Sequence, residues 1–114
     1  PISEASIALD TASGAIRWQT QVDVPDGKFS WGPGVVIGNR LIQPVGPALY
    51  TFDATNGTIL NRTLVGGSFT YNHPTVAGGV LYIGNSWGWV SAMPLMKVLG
   101  SKRGNFLGRR VPEM

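Results

Sequence analysis

The chain lacks cysteine and has little charge, and both features limit what it can be. With no cysteine among its 114 residues, no disulfide can stabilise the fold. Charged residues make up only 13% of the sequence, and no apolar run is long enough to span a bilayer. Stretches that repeat apolar residues at helical spacing are also missing before Met93. A disulfide framework, a transmembrane segment and a mainly helical fold are therefore all excluded.

The positive charge of the chain is concentrated near its end. The formal net charge is +3, and five of the nine basic residues lie between Lys97 and Arg110. Because the rest of the chain is close to neutral, we expect no nucleic-acid partner. We assign residues 95–114 to a basic, glycine-containing C-terminal tail. Such a tail forms either a disordered terminus or an arm on an acidic partner or a membrane surface.

Turn-forming residues are abundant, with 16 glycines and 8 prolines. They separate short apolar or alternating runs, which is typical of an all-β protein with many short strands. Asp10 and Gly14 close one tight turn, and Gly38-Asn39 and Asn56-Gly57 close two others. The predicted strands cover residues 6–9, 15–22, 35–37, 41–45, 48–52, 58–64, 75–77, 80–84 and 87–93.

This pattern repeats after forty to forty-three residues, as the spacing from Leu41 to Leu81 and from Asp10 to Asp53 shows. A repeat of that length with four short strands indicates a β-propeller blade. We therefore predict an all-β fold, a partial β-propeller of four-stranded antiparallel blades with about two blades' worth of chain. Residues 1–94 hold half a blade, a complete blade from about 33 to 64, and a partial blade.

A closed propeller needs at least about four blades. The expected partners are therefore other blades, either in the same parent protein or in other copies of the chain. A separate protein partner is a further possibility that the sequence leaves open.

The first predicted hairpin carries a recognisable motif. Ala8, Asp10, Ser13, Gly14 and Trp18 together resemble the tryptophan-docking motif of the pyrroloquinoline quinone (PQQ)-type propeller repeat. The resemblance implies that Trp18 packs between neighbouring blades, and that the protein is extracytoplasmic, either periplasmic or secreted.

Later copies of the motif depart from this pattern. In the second copy Thr51 replaces Ala, Asp53 and Gly57 are retained, and Asn61 stands at the Trp position. In the third copy Ala92 is followed by Met93-Pro94 instead of Leu-Asp. We therefore expect the docking hairpin to be lost there.

The family that the motif resembles contains two functional kinds. Quinoprotein alcohol and sugar dehydrogenases hold PQQ and a divalent cation, usually calcium, on the propeller axis, whereas other members are non-catalytic binding platforms. Our first hypothesis is a non-catalytic module that serves as a protein- or ligand-binding scaffold and needs no cofactor of its own. The alternative is a segment of a PQQ-dependent dehydrogenase whose active-site residues lie mostly outside this chain, with PQQ and calcium bound by the complete quinoprotein. A structural surface protein assembled from partial blades is a third possibility.

No catalytic or metal-binding set stands out in the sequence, so we predict none. Asp10 and Asp53 occupy repeated turn positions, where a carboxylate accepts backbone hydrogen bonds. The residues before the first strand of successive blades are better candidates, because the resemblance places those loops toward the axial funnel. They are Trp31, Asn72 and His73, the last being the one histidine of the chain.

Two further features carry alternative interpretations. Trp87 and Trp89 alternate along one strand face, so they either pack on the blade or form an exposed aromatic platform. Asn56 and Asn61 each begin an N-glycosylation acceptor pattern.

Overall fold

The computed structural model describes residues 2–24, 32–69 and 72–100, which form three antiparallel sheets and one short helix. The sheets contain two, four and three strands in chain order. The elements are β1 (Ile2–Leu9), β2 (Ile16–Val24), β3 (Val35–Ile37), β4 (Arg40–Val45), β5 (Ala48–Asp53), β6 (Ile59–Leu64), β7 (Thr75–Ala77), β8 (Val80–Gly84), β9 (Val90–Pro94) and α1 (Leu95–Leu99). The predicted all-β, partial β-propeller fold is confirmed, with one complete blade between two sheets of fewer described strands.

The first sheet is a hairpin whose turn is built by Asp10. The Asp10 carboxylate accepts hydrogen bonds from the backbone N–H groups of Ala12 and Ser13, at 2.9 and 3.0 Å. Gly14 has a φ of +77° and donates its N–H to the Asp10 carbonyl at 2.7 Å. A positive φ favours glycine, since it has no Cβ. Local chemistry alone therefore explains why the chain reverses between β1 and β2.

The complete blade, β3–β6, repeats this turn. Asp53 accepts the N–H of Thr55 at 2.8 Å, and Gly57, with a φ of +79°, donates to the Asp53 carbonyl at 2.8 Å. Both hairpins also shift register at the same place, between Ala8 and Leu9 and between Thr51 and Phe52. Hence β1 and β2 correspond to β5 and β6.

The third sheet, β7–β9, runs directly into α1. The backbone N–H of Leu95, directly after β9, donates to the carbonyl of Gly79 at 2.9 Å. The second sheet has the equivalent hydrogen bond directly after β5, from the N–H of Ala54 to the carbonyl of Asn39 at 3.0 Å. Gly100 has a φ of +114° and donates to the Met96 carbonyl at 3.2 Å, which closes the helix. Among the described residues there is no helix of the length and apolar character needed to cross a membrane.

In the third copy Pro94 stands where Asp53 stands in the second copy, and α1 takes the place of the tight turn. The strand that would complete a hairpin with β9 falls on residues outside those described, so the expected loss of the docking hairpin stays a prediction. Residues 95–100, which the sequence assigns to the tail, pack against the second sheet. The rest of the predicted tail, residues 101–114, lies outside the described residues. The division of the chain at residue 94 remains a prediction.

The core lies between the sheets, in two clusters of buried apolar side chains. Val22, Val45 and Phe52 are buried between the first and second sheets. The larger cluster joins the second sheet, the third sheet and α1 through Ile42, Leu49, Phe69, Leu81, Ile83, Val98 and Leu99. Full burial of one such side chain contributes about 1.5–3 kcal/mol. The second sheet is consequently stabilised on both of its faces.

The Asp10 turn predicts how stability depends on pH. Backbone hydrogen bonds, first from Ser13 and then from Ala12, hold the pKa of the Asp10 carboxyl below its ordinary value. A lowered pKa stabilises the fold above the unfolded-state pKa, and this contribution is lost as the pH falls through the folded-state value. We expect the free energy of unfolding to fall more steeply for the wild type than for Asp10→Asn between about pH 5 and pH 2, because Asn keeps an acceptor oxygen but does not titrate. Urea denaturation at several pH values measures this, and parallel profiles would contradict it.

Candidate functional site

The side chain of Trp18 joins the first and second sheets. Its indole N–H donates to the carbonyl of Ala54 at 2.9 Å. Its ring stacks on that of the fully buried Phe52, with centroids 6.0 Å apart. Beside it, the hydroxyl of Thr20 donates to the carbonyl of Gly57 at 2.6 Å. We call this set of contacts the first junction.

The first junction depends on the absence of a side chain at Gly57. A Cβ atom there would overlap the indole of Trp18, lying 2.6 Å from its Cδ2 atom. Gly14 has nearly the same backbone conformation, but a Cβ at Gly14 would meet nothing within 4 Å. Gly57 therefore serves two purposes, the turn itself and the space for the ring of Trp18.

The second junction, between the second sheet and α1, has an amide where the first has an indole. The Asn61 side chain donates to the carbonyls of Val98 and Lys97, at 2.9 and 3.1 Å. These carbonyls lie at the C-terminal end of α1, where a helix leaves its carbonyl groups without internal partners. The buried hydroxyl of Thr51 adds a hydrogen bond to the Val98 carbonyl at 2.8 Å. Gly100 packs closely against the Asn61 side chain, so that a Cβ at Gly100 would lie 3.1 Å from the Cβ of Asn61. Gly57 packs against the ring of Trp18 in the same way.

The junctions show what the sequence analysis missed. Residue-type matching treats Asn61 as a lost Trp, but the structure gives Asn61 the same kind of N–H to carbonyl bond. One signal was available, because Gly14, Gly57 and Gly100 are equally spaced in the sequence. With its side chain in contact with α1, Asn61 differs from Asn56, which is exposed in its turn.

Two of the three predicted axial-loop residues lie beside the neighbouring loop. Nδ1 of His73 is 3.4 Å from the carbonyl of Pro33. The backbone of Asn72 approaches Gly32 so closely that a Cβ on Gly32 would overlap it. The structure thus brings Asn72 and His73 together with residues 32–33 of the preceding loop. Trp31, the third candidate, lies outside the described residues, and a binding role for all three stays a prediction.

The same end of the sheets carries an exposed aromatic pair. The rings of Trp87 and Trp89 meet edge to face, with centroids 4.8 Å apart, and are 57% and 52% exposed. The buried Asn85 holds their loop, since its side-chain oxygen Oδ1 accepts hydrogen bonds from the backbone N–H groups of Trp87 and Trp89, at 3.0 and 3.1 Å. Its amide N–H donates to the Gly66 carbonyl at 3.1 Å. The pair is therefore a fixed surface feature on a hydrogen-bonded loop.

The carboxylates of Asp10 and Asp53 are engaged in the turns described above. Across residues 2–24, 32–69 and 72–100, no three His, Cys, Asp or Glu side chains come together as metal ligands.

Three sheets packed in succession, with a strand pattern that recurs about every forty residues, define a partial β-propeller. A family model described as outer membrane protein assembly factor BamB, built on the PQQ repeat, matches residues 3–93. The chain belongs to this PQQ-repeat family, as its first hairpin motif predicts.

Two curated relatives are tetrathionate hydrolases. The protein from Acidianus ambivalens is 29% identical over 96 residues, which cover 80% of this chain and 18% of the relative. The protein from Acidithiobacillus ferrooxidans is 27% identical over 100 residues, covering 86% of this chain and 20% of the relative. The chain spans about a fifth of the length of these relatives.

The first junction predicts unequal effects of one substitution at two glycines. Gly57→Ala and Gly14→Ala both force alanine into a left-handed conformation, at about 1–2 kcal/mol. Only the methyl group at position 57 overlaps Trp18, so we expect Gly57→Ala to lose about 1–3 kcal/mol more. Urea denaturation measures the difference. A Trp18→Ala background should reduce it and leave only the part due to the Thr20 hydroxyl, which would lie 2.7 Å from the same Cβ. Equal losses at the two glycines would show that the ring does not depend on Gly57.

The second junction predicts that Asn61 stabilises α1. Asn61→Ala leaves its two carbonyl partners without that donor, so we expect a loss of about 1–3 kcal/mol. The matched control is Asn56→Ala, because Asn56 is exposed and its side chain accepts one hydrogen bond, from Thr58. Thermal unfolding gives the stabilities, and hydrogen exchange of the Gly100 N–H reports on α1. If the two variants unfold alike, Asn61 does not hold the helix.

Proposed function

We propose that the chain is a blade-forming segment of a larger β-propeller and serves there as a binding scaffold. The observation that carries this proposal is the pair of junctions. Two successive interfaces between sheets use the same kind of contact, so further sheets can be added at either end by the same means. The outer faces are ready for such neighbours, since Ile7, Leu9 and Val90 are 50%, 56% and 80% exposed.

In this proposal Trp18 has the tryptophan-docking role of the family motif, and Asn61 replaces it at the next blade. The hydrogen bond of Trp18 to Ala54 and its stacking on Phe52 support the first assignment. The two Asn61 hydrogen bonds to the end of α1 support the second. PQQ repeats are modules of larger propellers, which agrees with a role in holding blades together.

The binding surface of the scaffold is the loop face, which we define as residues 32–33, 66–68, 72–73 and 85–89. These loops contact one another: Ser68 and Ser86 exchange hydrogen bonds at 2.8 and 2.9 Å, and His73 approaches Pro33. The loop face contains an imidazole and two half-exposed indoles. Aromatic surface of this kind is favoured in protein and ligand recognition.

A second candidate is a contribution to an enzyme. Both curated relatives are tetrathionate hydrolases, which favours hydrolysis of tetrathionate by the whole ring over PQQ- and calcium-dependent alcohol oxidation. The segment would then supply part of the wall around the reaction site. The family's description as an outer membrane assembly factor supports an extracytoplasmic location.

A chimera tests the scaffold role. The matching 96-residue segment of the Acidianus ambivalens tetrathionate hydrolase is replaced by the corresponding residues of this chain. We expect a cooperatively folding protein that hydrolyses tetrathionate within about tenfold of the parent rate, because the segment supplies structure rather than reacting groups. The Gly57→Ala chimera should melt at a lower temperature than the Gly14→Ala chimera.

Three outcomes would contradict the proposal. A chimera that does not fold would oppose the blade-forming role. A folded chimera without activity would mean that this segment determines the chemistry. Stoichiometric binding of PQQ with calcium by the purified chain, together with dye-linked alcohol oxidation, would favour the dehydrogenase alternative.

A further inference from the structure

The turn between β5 and β6 contains a residue pair that can modify itself. Asn56 is the one asparagine of the chain that a glycine follows. The side chain of asparagine can react with the backbone nitrogen of the next residue, and glycine obstructs this reaction least because it has no Cβ. The Asn56 side chain is exposed, whereas Gly57 is buried against Trp18. A reactive side chain is thus joined to a residue of the first junction.

The reaction is deamidation, and water is its only co-reactant. The backbone nitrogen of Gly57 loses its proton and attacks Cγ of Asn56, a bond forms between these two atoms to give a cyclic succinimide, and the side-chain nitrogen leaves as ammonia. Water then breaks one of the two bonds that join the Gly57 nitrogen to a carbonyl carbon. Breaking the new bond gives aspartate. Breaking the original peptide bond gives isoaspartate, whose main chain runs through Cγ and is longer by one carbon.

Three hydrogen bonds hold the pair in a geometry that opposes this reaction. The N–H of Gly57 donates to the Asp53 carbonyl at 2.8 Å, so the attacking nitrogen keeps its proton. The side-chain oxygen of Asn56 accepts the N–H of Thr58 at 2.9 Å, which fixes the position of Cγ. The Gly57 carbonyl accepts the hydroxyl of Thr20 at 2.6 Å. Local opening of the turn must break these bonds before the succinimide can form.

We propose that Asn56 is a deamidation site whose rate is controlled by the first junction. While Trp18 and Thr20 contact Gly57, they hold the Gly57 peptide in the turn, and deamidation is slow. When the first and second sheets separate, this peptide is released and the succinimide forms. The inference goes beyond the scaffold role, because it concerns how long an interface between blades lasts. It depends on the first junction and not on ligand binding by the loop face.

The two products have different effects on the first junction. Aspartate at position 56 keeps a side-chain oxygen that accepts the N–H of Thr58, so the turn forms as before. Isoaspartate lengthens the main chain directly before Gly57, which moves Gly57 out of register with the Asp53 carbonyl. The junction has no room for such a shift, since even a Cβ at Gly57 would overlap the ring of Trp18. Isoaspartate therefore prevents an opened junction from closing.

Ageing of the purified full chain tests the control of the rate. The chain is incubated at mildly alkaline pH, and peptide mapping by mass spectrometry measures the Asn, Asp and isoAsp forms at position 56. We expect the folded chain to deamidate at least about tenfold more slowly than the same chain in urea, because the reaction requires local opening. Trp18→Ala should react at least about threefold faster than the natural chain under folding conditions. Thr20→Val, which removes the hydroxyl but not the ring, should also react faster and serves if Trp18→Ala does not fold.

The matched control is Asn61→Ala, which weakens the second junction and leaves the contacts of Gly57 in place. Well below its melting temperature, this variant should deamidate at the rate of the natural chain. An increase equal to that of Trp18→Ala would mean that general unfolding, and not the first junction, controls the site. Equal rates for the folded chain and the chain in urea, or for Thr20→Val and the natural chain, would also overturn the inference.

Asn56→Asp separates the effect of the added carbon from the effect of the added charge. The isoaspartate form, isolated from the aged chain, should have a lower Tm and faster exchange of the Trp18 indole N–H than the natural chain. Asn56→Asp carries the same charge on a main chain of normal length, so its Tm and exchange should match those of the natural chain. If the isoaspartate form and Asn56→Asp behave alike, lengthening of the main chain does not keep the junction open, and the inference is wrong.

Discussion

Contact between the faces of neighbouring sheets is the constraint on which this fold depends. A small sheet that is apolar on both faces cannot cover either face by itself, so each blade is stabilised mainly by its neighbours. The second sheet satisfies the constraint twice, since Phe52 is fully buried toward the first sheet and Ile42 toward the third. The outer sheets satisfy it once, which leaves Ile7 and Val90 exposed. How much apolar surface a sheet buries thus depends on whether it lies between two other sheets or at the end of the row.

The two junctions meet this constraint with different chemistry. Trp18 covers a large apolar area and donates one hydrogen bond, whereas Asn61 covers little area but bonds two carbonyls. At the second junction, the apolar area is supplied by Val98 and Leu99 of α1. Each junction therefore has buried apolar area and a hydrogen-bonded carbonyl. At the first junction Trp18 supplies the area and donates to the carbonyl, and at the second junction α1 supplies the area and the carbonyl to which Asn61 donates. This equivalence explains how a repeat can lose its signature residue and keep its interface.

Local chemistry accounts for what the sequence predicted well. Asp10 and Gly14 form their turn through contacts within five residues, and alternation of apolar residues identifies the strands. Contacts between distant residues account for what it missed: α1 has no acidic turn residue to reveal it, and the role of Asn61 depends on carbonyls far along the chain. In the candidate site, the repeat showed that the loop of Asn72 and His73 is equivalent to the loop of Gly32 and Pro33 in the preceding blade. The contact between these two loops could not be predicted from the sequence, because it depends on how the sheets pack.

The polar side chains of Asn85 and Ser86 hold the loop face in a fixed shape. Asn85 forms hydrogen bonds with backbone groups of its own loop and of the neighbouring loop. The hydroxyl of Ser86 accepts a backbone N–H from the neighbouring loop, so both side chains fix the positions of these loops. The same bonds hold Trp87 and Trp89 with large exposed surfaces. A surface ordered in advance loses less conformational entropy when a partner binds. Rigid aromatic surface on a hydrogen-bonded frame is therefore the property that links the fold of this chain to its proposed scaffold role.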